Sequence, residues 1–337
     1  VSKELHEDIR AAVGGMCADP AAEFDEALWA GLADNGFTLL GVPEQAGGSG
    51  GDLDDLAVAV ETAARCAAPV PLADTAFVAG WLLAGAGLAI PDLGPMAVSA
   101  QALPADADGT VSGQVEAAWA RHAGHVVVPV LKAGELLVAA FPRADLALTQ
   151  GANLAGEPRD VLTLDRCPLP LLTAPAAAGV DPTAVLRRGA LARSVQLAGA
   201  ADSVLALSLR YAGERVQFGR PLNRFQAVQQ SLATLAAHAT MMRTSAMAAV
   251  LAVQECAPGA DLAIAAAKAT TSASAAVVAT VGHQVHGALG FSREHRLGAS
   301  TTRLWSWRDE FGDESFWQDV LADLVLAADA WWPALTR

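Results

Sequence analysis

Basic residues are scarce in this chain of 337 residues: 22 lysines and arginines face 36 acidic residues, for a formal charge of −14. General nucleic-acid binding is disfavoured, because a phosphate backbone would be repelled. Uninterrupted apolar runs are also missing, although 53% of residues are hydrophobic. None reaches the roughly 18 residues of a spanning helix. The Ala-rich stretches 238–255 and 261–281 are broken by His, Arg, Gln, Lys, Thr or Ser, which predicts buried helices of a bundle and no membrane span. Only four cysteines occur, at 17, 66, 167 and 256, far apart and without metal-ligand spacing. That excludes a disulfide framework and fits reduced thiols in the cytoplasm. The opening VSKELHEDIRAAV has no basic stretch followed by an apolar core, so no export signal is expected.

What is present is a chain long enough for two or three domains, with a change of period along it. Residues 1–90 carry apolar positions at helical spacing, with helices expected over 25–35, 52–66 and 76–88 and a Gly-rich loop at 41–51. From residue 91 the pattern turns to short β-branched or Leu-rich segments at 96–102, 124–130, 135–141, 145–149 and 161–165. Asp108–Gly109 between them is a hairpin-like turn signal. A small antiparallel barrel or sandwich over 91–175 follows. Beyond it, Asp181 is placed to cap a helix beginning at Pro182. Further helices are expected over 223–255, 259–288, 294–306 and 313–330, and helices of this apolar character pack as a bundle over 176–337.

Positive charge is concentrated rather than absent: Arg210, Arg215, Arg220 and Arg224 fall close together. A cluster of this kind concentrates positive potential locally for a polyanionic ligand, or else decorates a solvated face. Within AGERVQFGRPLNRFQAVQ, Arg215 precedes Gly219 by four residues, with Gln217 and Phe218 between. A guanidinium there is suited to paired hydrogen bonds with a pyrophosphate. A second glycine-containing stretch, QVHGALG, runs from Gln284 to Gly290. Together these two stretches resemble the flavin-holding motifs of the acyl-CoA dehydrogenase family, and the likeness extends over nearly all of the chain.

The resemblance implies a mainly α fold with a β domain: an N-terminal helical domain, a middle β-barrel domain and a C-terminal four-helix bundle. It implies FAD as cofactor, held by Arg215, Gln217 and Phe218, with Gln284 and Gly287 reaching the cofactor of a neighbouring subunit. It also implies an acyl-CoA substrate, desaturated at its α,β carbons by a carboxylate that takes the α proton while the flavin accepts hydride. In the family that carboxylate stands one residue before a glycine near the chain end, where this chain has Phe311 beside Gly312. Glu310, one residue earlier, is the candidate base. The other family location falls on Ala192, followed by Arg193. The second glycine of the usual pair is replaced by Ala288, and the middle domain lacks the family's T-E-P-x-x-G-S-D loop. Trp119, Arg121 and His122 are candidates to lie near the flavin, with core packing the alternative for Trp119.

A short, base-poor member of this kind resembles partner subunits of heteromeric acyl-CoA dehydrogenases, including those acting on steroid side chains. Expected partners are therefore a second copy in a homodimer, or a second dehydrogenase subunit in a heterotetramer, and an electron-transfer partner. The competing expectation is a non-catalytic subunit that completes the flavin and acyl-CoA site of another chain.

Overall fold

Caps and apolar spacing dictate the helices at the start of the chain. In the computed structural model, which describes residues 3–17, 23–292 and 295–327, α1 spans Lys3–Met16, α2 Glu26–Asp34 and α3 Leu53–Arg65. Asp25 caps α2 by accepting from the Leu28 amide at 2.9 Å, satisfying one of the open N–H groups of its first turn. Helix α3 buries Leu56 through Val60 almost completely. The helix expected over 76–88 begins earlier and more loosely, as a π-helical segment at Ala73–Gly80 that continues into α4, Trp81–Gly85.

The strands are β1 (Met96–Val98), β2 (Leu103–Pro104), β3 (Thr110–Ala118), β4 (His125–Lys132), β5 (Glu135–Pro142), β6 (Ala147–Thr149), β7 (Arg159–Pro168) and β8 (Thr173–Pro175). They form a five-stranded sheet, with β1, β4, β5 and β8 in order and β2 also on β4, and a three-stranded sheet ordered β3, β7, β6. One core serves both, with Val111, Val115, Leu162 and Leu164 from the smaller sheet and Val126, Val128, Val130 and Phe141 from the larger. The Asp108–Gly109 turn is present: the Gly109 amide donates to Asp106 O, and Asp108 accepts from the Thr110 amide and hydroxyl. The expected purely antiparallel order is not. β1 and β2 pair parallel to β4, because β3 leaves for the other sheet before the chain returns at β4. The Thr75 hydroxyl holds both the amide and the carbonyl of Met96, tying the π-helical segment to β1.

The C-terminal half is helical: α5 (Ala184–Glu214), α6 (Gln226–Gln254), α7 (Ala260–His286), α8 (Leu297–Trp307) and α9 (Glu314–Leu326). Between α5 and α6, β9 (Val216–Gln217) and β10 (Arg220–Pro221) form a small hairpin. The expected continuation of the last helix to residue 330 lies outside the described residues. By contacts the chain divides into two compact units: residues 1–16, 21–59 and 69–192 in one, and residues 17–20, 60–68 and 193–337 in the other.

Within the second unit α7 is the central helix. Its residue Gly282 lies so near α5 that an added Cβ would stand 2.6 Å from a methyl of Val204. Small residues at such crossings let two backbones approach, which is why the Ala- and Gly-rich composition suits a tight bundle. By length and composition α7 passes for a membrane span, yet 61% of its apolar window is buried inside the fold, as a core helix requires.

Candidate functional site

The sequence QFGR turns the chain sharply after α5. Val216 and Gln217 pair antiparallel with Arg220 and Pro221, and the two residues between them, Phe218 (φ 51°) and Gly219 (φ 79°), both occupy the left-handed region. That is the backbone of a two-residue hairpin turn whose twist matches its strands. Glycine adopts it freely; a phenylalanine there costs about 1 kcal/mol or more. Packing does not offset this cost, because Phe218 is 92% exposed. Its ring meets the edge of Phe225, at 6.2 Å between centroids, and the Arg220 guanidinium lies 4.1 Å over the Phe225 ring. Arg215, Gln217 and Arg220 are exposed as well. The hairpin therefore presents a guanidinium, an amide and an aromatic face to solvent, and the space in front of Gly219 is open.

At the other end of α7, Gln284 is exposed and Gly287 (φ 59°) ends the helix, again with nothing near where a Cβ would stand. His286, just before it, is buried, stacked on Tyr211 at 4.7 Å, and donates from Nδ1 to Gly282 O at 2.8 Å. Burial holds the His286 imidazole below its ordinary pKa. Ala288, in the place of the usual second glycine, is exposed.

A different environment surrounds Glu310. Arg193, 2% exposed, donates from Nε to Glu310 Oε2 at 2.7 Å and from another nitrogen to Gln196 Oε1 at 2.6 Å. Its guanidinium also lies 5.2 Å over the Phe311 ring. The turn that carries Glu310 is pinned from below by Lys268 of α7, whose buried Nζ donates to the carbonyls of Trp307 (3.2 Å) and Arg308 (2.7 Å) and to Ser272 Oγ (3.0 Å). A cation at the last carbonyls of α8 is favoured by the helix dipole and satisfies groups that would otherwise be orphaned. Burial nevertheless lowers the Lys268 pKa to about 7, with the Glu310 charge acting in the opposite direction. Phe311 (φ 54°) and Gly312 (φ 89°) reverse the chain, and the Trp317 indole N–H donates to Phe311 O at 2.8 Å.

The four acidic residues of WRDEFGDES thus separate by role. Asp313 caps α9 through the Phe316 amide, Glu314 pairs with Arg308 at 3.2 Å, Asp309 is exposed, and Glu310 faces Arg193. The sequence offers Glu310 as a candidate but gives no sign that Arg193 and Lys268 are its neighbours. A signal for Lys268 existed: a lone lysine inside the apolar AIAAAKATTSASAA run is out of pattern for a buried helix.

In the β domain Trp119 is 3% exposed and packs 6.2 Å from Phe24, while His122 stacks on Phe24 at 4.8 Å. Arg121 is engaged with the fully buried Asp160 at 2.6 Å and with Gly151 O. All three therefore have structural employment. Two cavities of about 660 and 670 Å³, one along α6 at Ala237, Met241 and Thr244, the other beside Phe141, Leu146 and Leu169, include no residue of the hairpin or of the Glu310 turn.

Comparison with known proteins matches residues 4–110 to the acyl-CoA dehydrogenase N-terminal domain and residues 182–307 to the acyl-CoA dehydrogenase C-terminal domain. The acyl-CoA dehydrogenase IpdE2 of Mycobacterium tuberculosis is 31% identical over 81% of this chain and 79% of its own length. Among solved structures, the ChsE4-ChsE5 complex of the same organism aligns with a TM-score of 0.88 at 20% identity, covering 98% of this chain and 99% of that one. The Tcur3481-Tcur3483 steroid acyl-CoA dehydrogenase, as its G363A variant, aligns with a TM-score of 0.80 at 25% identity over 96% and 97% of the two chains.

Proposed function

This chain belongs to the acyl-CoA dehydrogenase family, and we propose that it works in FAD-dependent α,β-dehydrogenation of an acyl-CoA thioester as one subunit of a heteromeric enzyme. The observation that carries the reading is the hairpin after α5. Phe218 is held in a costly conformation at 92% exposure beside the exposed Arg215 and Gln217, an arrangement that serves a ligand better than it serves the fold. The donor set fits FAD: a guanidinium suited to the pyrophosphate, an amide for polar contact, and an aromatic face over open space. Gln284 and Gly287, exposed at the end of α7, are the groups assigned to a neighbour's cofactor. Relatives that occur as pairs of unlike chains support the heteromeric form.

When bound, FAD supplies the hydride acceptor. The protein's part is to orient the thioester, exclude water and hold a base at its α carbon. Glu310 is the assigned base, and Arg193 is the group it must leave or share, since the guanidinium already donates to Oε2. Lys268 and Ser272 fix the turn from which Glu310 projects. The cytoplasm and an electron-transfer partner complete this reading.

The Arg193–Glu310 pair also favours a second reading. With Phe311 in the place before Gly312 and Glu310 occupied by an arginine, the chain is a non-catalytic subunit that completes another chain's site. Purified chain, with flavin quantified per subunit and the flavin spectrum followed on adding acyl-CoA, separates the two. Near-stoichiometric FAD and bleaching that is lost in Glu310→Gln support the catalytic subunit. FAD retained without bleaching, and bleaching restored by a second subunit regardless of Glu310→Gln, supports the other. Failure to retain FAD in either state of assembly overturns both.

A further inference from the structure

We propose that His6 of α1, with Asp54 and Asp55 of α3, forms a Zn²⁺ site that pins the first helix onto the third. The histidine is far from the two carboxylates in sequence, and the fold gathers all of them within one compact unit. His6 Nε2 stands 3.2 Å from Asp55 Oδ1 and 3.5 Å from Asp54 Oδ2, and one ligand atom from each residue lies within 4.8 Å of the others. His6 follows the helical spacing of the buried Ile9 and Val13 on α1, so the packing that docks this helix also delivers the imidazole. The side chains of Asp54 and Asp55 are 8% and 6% exposed and that of His6 20%, so the cluster is largely withdrawn from bulk water.

A simple ion pair does not account for this arrangement. In such a pair the imidazole N–H points at one carboxylate oxygen. Here Nε2 is within reach of two carboxylates, yet neither Nε2 nor Asp55 Oδ1 has a hydrogen-bond partner, although both atoms are buried. Buried polar atoms are almost always satisfied, and charges taken out of water are paired or coordinate a metal. The carboxylates are already oriented: the Asp52 amide donates to Asp55 Oδ2 and the Asp55 amide to Asp54 Oδ1, both at 3.1 Å. Contacts of this kind, on the oxygen that does not ligate, fix metal-binding carboxylates in place. The imidazole nitrogen selects among cations, because Mg²⁺ and Ca²⁺ take oxygen ligands whereas Zn²⁺ takes nitrogen and oxygen together. With Zn–N and Zn–O bonds of about 2.1 Å, a tetrahedral site has edges of about 3.4 Å. The 3.2 and 3.5 Å separations match those edges. Two carboxylates and a neutral imidazole also balance the ion's double charge, and three protein ligands leave a fourth position for water. The inference is independent of flavin binding.

The test strips the purified full-length chain with EDTA, removes the chelator and titrates the chain with zinc chloride by calorimetry. A single class of site should fill at one ion per chain, without competition from millimolar Mg²⁺, and excess zinc should raise the thermal unfolding midpoint. His6→Ala and Asp55→Asn should each weaken zinc binding by more than about a hundredfold, exceeding the loss that follows removal of a group behind a ligand. His125→Ala, which breaks the pair with Asp92 elsewhere in the same unit, should leave it unchanged. Zinc-edge X-ray absorption of the unmodified chain does not depend on any variant folding, and it should show nitrogen and oxygen neighbours without sulfur. Absence of zinc binding, an affinity unchanged in either ligand variant, or sulfur in the zinc shell overturns the proposal.

Discussion

The hairpin at residues 215–221 and the turn at 307–313 belong to the same helical unit, and both carry residues assigned to the site, but they are built on opposite principles. Around the hairpin the assigned side chains are exposed and contribute little to the fold; Phe218 even costs it stability. Around the turn nearly every polar group is engaged: Lys268 and Ser272 on the Arg308 carbonyl, Trp317 on Phe311 O, Arg193 on Glu310 and Gln196. Groups free of structural duty are available to a ligand. Groups inside a satisfied network must first be released, and removing one leaves its partners buried and unpaired.

That contrast is broken or sharpened by substitution. Arg193→Ala is expected to have the largest effect, about 3 kcal/mol of lost stability by denaturant unfolding, because it strands Glu310 beside a buried gap. The double variant with Glu310→Ala should lose clearly less than the sum of the two single changes. Next comes Lys268→Met, at about 2 kcal/mol near neutral pH, from the loss of three hydrogen bonds, with the Arg308 carbonyl keeping only Ser272 as a donor. Its pH dependence has a definite sign. With a folded pKa of about 7 against an ordinary 10.5, the unfolded chain binds the extra proton between these values. Stability contributed by this site therefore rises with pH across that window, and the slope should be missing from Lys268→Met in unfolding measured from pH 7 to 10.

On the hairpin the effects on folding shrink while those on the ligand grow. Arg215→Ala should change stability by less than about 0.5 kcal/mol, as an exposed substitution does. FAD affinity, measured by equilibrium dialysis, should fall roughly tenfold or more, the loss expected of a charge-assisted hydrogen bond. Phe218→Asn should stabilise the chain slightly, by about 0.5 kcal/mol, because Asn-Gly is the favoured pair for this turn. The same variant should retain less FAD; unchanged flavin content together with higher stability would remove the case for Phe218 as a ligand-facing residue.

Much of this architecture was legible beforehand because it depends on local rules. The helix beginning near Asp25, Asp108–Gly109 as a turn and the long helices over 184–214, 226–254 and 260–286 depend on signals within a few residues, and each lies within a few residues of where the sequence pattern put it. The boundaries of β1 and its parallel pairing were not, since they depend on where β3 goes next, a choice made by the two sheets sharing one core. The hairpin motif could be read for a similar reason to the caps: its residues are contiguous. Arg193, Lys268 and Glu310 are separated by scores of residues, and nothing local announces that two helices and a turn will bring their charges together.

By itself the sequence determined the long helices, most of the strands other than β3, the glycine-dependent turn after α5, the arginine-rich stretch beside it and the family, because contiguous residues and apolar period carry that information. Tertiary structure alone decided that Lys268 caps the end of α8 and that Arg193 occupies Glu310. Those outcomes follow from burial, which forces each charged or polar group to find a partner wherever in the chain one lies.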